Sequence, residues 1–224
     1  MTDSAKFDFQ NVLDTALSVV KEPAVFYKNM PQTGGYINPV IFAAVMGFVA
    51  GLIAAILSLF SSNVIGGMSA GFGMLFFMPL VAIIGSFIGG AIMFVIWKLM
   101  GSEKEYETAF RCVAFAAVVF PVSAVLSIVP YLGTIIAVAG WFWLMIVASE
   151  HVHEIPKQKA QLVLGIIGAL VLLMNLSAER AQRNAMAHLE QFKSQMGANL
   201  ENMTPEQAGE ALGKFLKGLE KASE

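Results

Sequence analysis

Between Lys28 and Lys98 the chain carries no charged residue and no histidine over 69 consecutive positions. As a single helix this stretch would run roughly 100 Å at 1.5 Å per residue, about three times the ~30 Å hydrocarbon thickness of a bilayer. It must therefore hold two membrane crossings and the turn between them. Two further uncharged stretches follow, Cys112–Ser149 with 38 residues and Ala160–Ala178 with 19. A charged fraction of 13% against a hydrophobic fraction of 57% is far from the quarter or so of charged residues in soluble domains. These features describe an integral membrane protein with small polar appendages. A net charge of −2 offers nothing to a nucleic acid partner.

The spans follow from where apolar runs meet turn signals. Pro39–Phe60 is the first, closed by the turn-rich Ser61–Gly71, and Phe72–Trp97 is the second, with Pro79 as a tolerated kink. The 38-residue stretch is too long for one crossing. Pro130 disfavours helix at the residue before it and Gly133 permits a tight turn, which gives spans at Arg111–Val129 and Leu132–Ser149. Ala160–Leu176 is the fifth. The expected fold is all-α: a polytopic bundle of five transmembrane helices over residues 39–176, preceded by a cytoplasmic segment 1–38 and followed by a helical tail 177–224.

Charge orients the bundle. On the N-terminal side lie Lys6, Lys21, Lys28, Lys98, Lys104, Arg111, Lys157 and Lys159, whereas Arg180, Arg183 and Lys193 follow the last span. Basic residues collect on the cytoplasmic side, so a cytoplasmic N-terminus and an external C-terminal tail are expected. The first ten residues are polar and acidic, unlike a cleavable signal peptide, which leaves targeting to the first internal span. Trp97, Trp141 and Trp143 fall near span ends, as aromatic belts do. The lone Cys112 reads as a small buried hydrophobe.

Outside the spans the pattern is amphipathic. Phe9, Val12, Leu13, Ala16, Leu17 and Val20 recur at helical spacing and Pro23 ends the run, which predicts one helix lying on the membrane or packed under the bundle. In the tail, Ala185, Leu189, Phe192 and Met196 make a stripe able to continue the fifth span as far as Gly197. Thr204-Pro205-Glu206-Gln207 is a helix start, followed by Leu212, Phe215, Leu216 and Leu219. Helices this short are marginal alone in water, so Leu189, Phe192, Met196, Leu212, Phe215, Leu216 and Leu219 are expected oligomer contacts.

Three groups of residues have the side chains or spacing to do chemistry or recognition. Glu150, His151, His153 and Glu154 have metal-ligand character. On one helix the two histidines point about 200° apart, so a polar end to the fourth span is the plainer reading and no cofactor is expected. Lys104, Arg111, Lys157 and Lys159 are expected lipid or partner contacts, with Arg111 snorkelling to the headgroups at the start of its span. Ala43, Gly47, Gly51 and Ala55, then Gly85 with Gly89 and Ser86 with Gly90, form small-residue stripes for close helix packing. The spans carry no ionisable residue except at their ends, which argues against a proton-coupled mechanism. With no phosphate loop, nucleophile elbow or catalytic carboxylate pair, no enzyme is expected.

Several segments in order resemble the Yip family of five-span membrane proteins, whose members include Rab-GTPase-interacting proteins and prokaryotic relatives. They are Glu22-Pro23-Ala24-Val25-Phe26-Tyr27 with Met30 and Gly34-Gly35, then Gly101, Tyr106, Thr108 and Phe110 in GSEKEYETAFR. Next come Pro121, Pro130, Gly133 and Trp141, and finally His151 with Lys157, Lys159 and Ala160. The resemblance covers about residues 20–176. It implies five helices, a cytosolic N-terminus and a role in membrane traffic or organisation. The N-terminal part is shorter than in the trafficking members and the tail longer than the family's usual end, so a prokaryotic member in a bacterial inner membrane is expected. The leading expectation is a non-enzymatic protein that self-associates and organises membrane or partner proteins. The alternatives are a homo-oligomeric channel or passive transporter, and a lipid-binding membrane protein.

Overall fold

The computed structural model describes residues 9–59, 64–201, 209 and 213. The order is α1 (Phe9–Lys21), α2 (Pro23–Asn29), α3 (Ile37–Ser58), α4 (Val64–Leu99), α5 (Tyr106–Phe115), a 3₁₀ turn (Ala116–Val118), α6 (Val119–Leu126), α7 (Leu132–His151) and α8 (Lys157–Glu201). No strand occurs among the described residues. Five helical segments are long and apolar enough to cross a membrane: Ile37–Ser58, Gly73–Leu99, Tyr106–Leu126, Leu132–His151 and Lys157–His188. The all-α, five-span expectation is met. Residues up to Leu176 form one compact unit and Ser177–Glu224 another. In the second unit the side chains of Leu189, Phe192 and Met196 lie outside the described residues, as do Thr204-Pro205-Glu206-Gln207 and Leu212, Phe215, Leu216 and Leu219.

Several boundaries differ from those read off the sequence, among them the end of the third span at Leu126 and the fifth span, which runs Lys157–His188. α4 starts at Val64, so most of the supposed turn Ser61–Gly71 is helical. A glycine costs a helix about 1 kcal/mol, less than an unmade backbone hydrogen bond costs in an apolar medium. The third span starts at Tyr106 and not at Arg111, which brings Glu107 and Arg111 inside it. That span is also interrupted. Pro121 has no N–H and its ring presses on the carbonyl four residues back, and the 3₁₀ turn Ala116–Val118 sits at that place.

Every residue from Thr108 to Val119 is buried. A helix apolar and covered all round belongs in the middle of a bundle, and α5 is the centre of this one. Glycines set how closely its neighbours approach. A Cβ at Gly47 would lie 2.7 Å from the Met78 carbonyl oxygen, and one at Gly90 would lie 3.0 Å from the Phe110 Cα. The first stripe therefore joins α3 to α4, and Gly90 joins α4 to α5, within one chain. Gly133 acts likewise: it sits inside α7, where a Cβ would come within 2.8 Å of the Ser123 carbonyl oxygen. The left-handed turn residue is Tyr131, with φ 65°, so the tight turn does not depend on Gly133.

The amphipathic α1 packs against the bundle by one face. Ala16 and Val19 are buried, while Leu13, Leu17 and Val20 remain exposed along its outer edge. α2 follows after Glu22, and its Tyr27 is fully buried.

Candidate functional site around the buried helix

Two polar assemblies meet on α5. The first holds the loop between α2 and α3. The Gly35 N–H donates to Glu107 Oε1 at 2.7 Å, and Arg111 Nη1 donates to the Gly35 carbonyl at 2.7 Å. Thr108 Oγ1 donates to the Gln32 carbonyl at 3.2 Å. These three α5 side chains lie within one helical turn of each other, so they share a face. Gly35 has φ 84°, a left-handed value that favours glycine, and this conformation turns both of its backbone groups to the clamp. Arg111 is 4% exposed, with its carboxylate partner Glu107 at 3.9 Å, and its Nε has no hydrogen-bond partner. The expected snorkelling of Arg111 to a lipid headgroup is thus replaced by an inward clamp. The reason is the earlier start of α5, which sets Arg111 on its second turn against the 32–35 loop.

The second assembly joins the ends of α4 and α7. α4 closes with a Schellman motif: the Gly101 N–H reaches the Lys98 carbonyl and the Ser102 N–H reaches the Trp97 carbonyl, with Gly101 at φ 100°. That turn delivers Ser102 Oγ to His153 Nδ1 at 2.7 Å. α7 closes similarly, with Glu154 at φ 56° and the Ile155 N–H on the Ser149 carbonyl. The Lys104 N–H also donates to Ser102 Oγ, and on the other side of the ring His153 Nε2 lies 4.0 Å from Cys112 Sγ. Trp97 stacks on His153 at 3.8 Å between centroids and donates through Nε1 to Ser149 Oγ at 2.7 Å. Burial pushes the His153 pKa down to about 3, and the nearby Lys104 and Lys98 ammoniums push the same way. From the opposite side Tyr27 donates its hydroxyl to the Cys112 carbonyl at 3.1 Å. Burial, with Cys112 adding to it, raises the Tyr27 pKa well above its ordinary value.

The four candidate metal ligands are not brought together. His151 Nδ1 lies 3.0 Å from the Val147 carbonyl of its own helix, His153 faces Ser102, and Glu154 pairs with Lys104 at 2.9 Å. Among the described residues no group of three or more His, Cys, Asp or Glu is assembled as a metal would require. Of the expected lipid or partner contacts, Lys159 donates to the Met100 carbonyl at 2.9 Å, Lys104 holds Glu154, and Lys157 is exposed at the start of α8. Trp97 departs from the aromatic-belt expectation, being 1% exposed.

Sequence reasoning passed over Ser102, Ser149 and the clamp on Gly35. A glycine two residues past a helix end was the one signal available for Ser102; no spacing rule pairs residue 97 with 153.

The fold and this closed polar hub define a polytopic α-helical membrane protein built round a buried third span. The Yip1 domain family model matches residues 17–178, a stretch that contains both assemblies and runs to the end of the first unit. The chain belongs to the Yip family. No curated protein and no solved structure matches it.

Proposed function

We propose that this Yip-family protein acts without catalysis, self-associating and organising membrane or partner proteins from a cytoplasmic N-terminal face. The observation that carries this reading is the use of the buried polar groups. Glu107, Thr108 and Arg111 bind main chain, Trp97 binds Ser149 and Ser102 binds His153, so the chemistry of the hub goes into holding loops and helix ends. The orientation is supported by the eight basic residues on the N-terminal side. Self-association is supported by the apolar stripes of the tail, which lie beyond the fifth span and need cover.

The test is mass measurement of the full-length protein in lipid nanodiscs. A species larger than one chain is expected, weakened by deleting residues 185–224 or by Leu189→Ser with Phe192→Ser. A monomer at all concentrations overturns the reading. Solute flux through liposomes carrying the protein would favour a channel instead.

A further inference from the structure

We propose that a membrane phospholipid seats one acyl chain in the groove between α1, α6 and α7. This goes beyond self-association and does not depend on it, because the groove is complete within one chain. Its walls are Val19 and Val20 of α1, Val118 and Val122 across from them, and Gly140 and Trp143 of α7. The groove encloses about 440 Å³ when its open outer side is included.

Its chemistry excludes most occupants. The lining is aliphatic apart from the Trp143 indole and offers a water molecule almost no partner, where an ordered water needs two to four. An empty trough would forfeit the dispersion contacts of its walls. α6 and α7 both belong to membrane-spanning segments, so the medium at the open side is lipid hydrocarbon. The occupant that enters from there is a flexible alkyl chain.

The polar end is specified as well. Leu13, Leu17 and Val20 are exposed along one edge of α1, which sets this helix at the boundary between hydrocarbon and headgroups. Lys21 follows Val20 directly, in the last turn of α1, and is exposed. A cation one residue beyond an apolar trough complements a phosphodiester, an attraction that falls within the ordinary range for basic residues at anionic bilayers. Trp143 is half exposed at the rim of the groove.

Gly140 shows how the trough is kept open. A Cβ there would only touch Val119 Cγ1 at 3.4 Å, an ordinary contact, so the backbone tolerates a side chain that helix packing does not forbid. Gly140→Val would occupy the trough without forcing the helices apart, and Val122→Phe would fill it from the other wall.

The experiment uses full-length protein in nanodiscs of phosphatidylcholine containing a minor fraction of phosphatidylglycerol with a diazirine on its acyl chain. After irradiation, adducts are mapped along the sequence. Phe76, Phe77 and Leu80, exposed on α4, report the bulk lipid. Adducts at Val19, Val20, Val122 and Trp143 are expected to exceed those on α4 by about tenfold, the ratio that about 1.4 kcal/mol of preference produces. Gly140→Val and Val122→Phe should each bring the groove to the bulk level at unchanged helical content; should one of them not fold, the other decides. Equal labelling of groove and α4 face, or an excess that survives both substitutions, overturns the proposal. So does chain-to-chain photocrosslinking from a photoreactive residue at position 122, which would assign the groove to a second copy.

Discussion

Glu107 with Arg111 and Glu179 with Arg183 are the same sequence pattern: a glutamate four residues before an arginine on a helix. Their surroundings make them different devices. In the first pair Arg111 is buried and 3.9 Å from Glu107, and both side chains spend their hydrogen bonds on the two backbone groups of Gly35. In the second, on α8, Arg183 Nη2 lies 2.6 Å from Glu179 Oε1, and Arg183 is 44% exposed. The closer pair is the weaker one. Water and salt screen an exposed pair to a few tenths of a kcal/mol, whereas a buried charge that loses its partner is stranded without solvation.

The largest test of that contrast removes one member of the buried pair. Glu107→Gln should lower the unfolding free energy by about 3–5 kcal/mol, read as a large drop in Tm in detergent. Glu107→Gln combined with Arg111→Met should recover part of the loss, since the stranded charge is gone. A Glu107→Gln protein as stable as the parent would break the comparison and make the Gly35 clamp ornamental.

A smaller effect comes from the neighbouring hub. His153 is held neutral, with its pKa pushed down to about 3 from an ordinary 6.5. The unfolded chain therefore takes up a proton that the folded chain refuses between those values. Stability from this residue is complete above about pH 6.5 and is lost as the pH falls toward 3, by up to about 1.4 kcal/mol per pH unit. Tm followed from pH 7.5 to 4.5 should decline, and His153→Asn should flatten the decline. An unchanged slope would show that acid acts elsewhere.

The smallest effect is expected at the exposed pair. Glu179→Ala should cost no more than about 0.5 kcal/mol, and that cost should vanish in high salt. A loss equal to that of Glu107→Gln would erase the distinction between the two pairs.

The spans themselves were legible because the bilayer imposes one dominant rule. Backbone groups must be satisfied internally, and charge is excluded, so uncharged length translates into helices. The hub was not legible in the same way. Along the chain Arg111 reads as a span end because charge marks the boundary, and Trp97 reads as a belt residue because it sits beside Lys98. Gly133 suggests a turn that Tyr131 in fact makes, while its own role depends on a helix ten residues away.

The amino-acid sequence by itself therefore determined the class, the number of spans and the position of the polar segments, through hydrophobic length and local turn chemistry. Only the tertiary structure decided which charges are buried and what each polar atom holds. Burial and partner choice depend on how α2, α4 and α7 close round α5, and such contacts between distant residues leave no period or spacing along the chain.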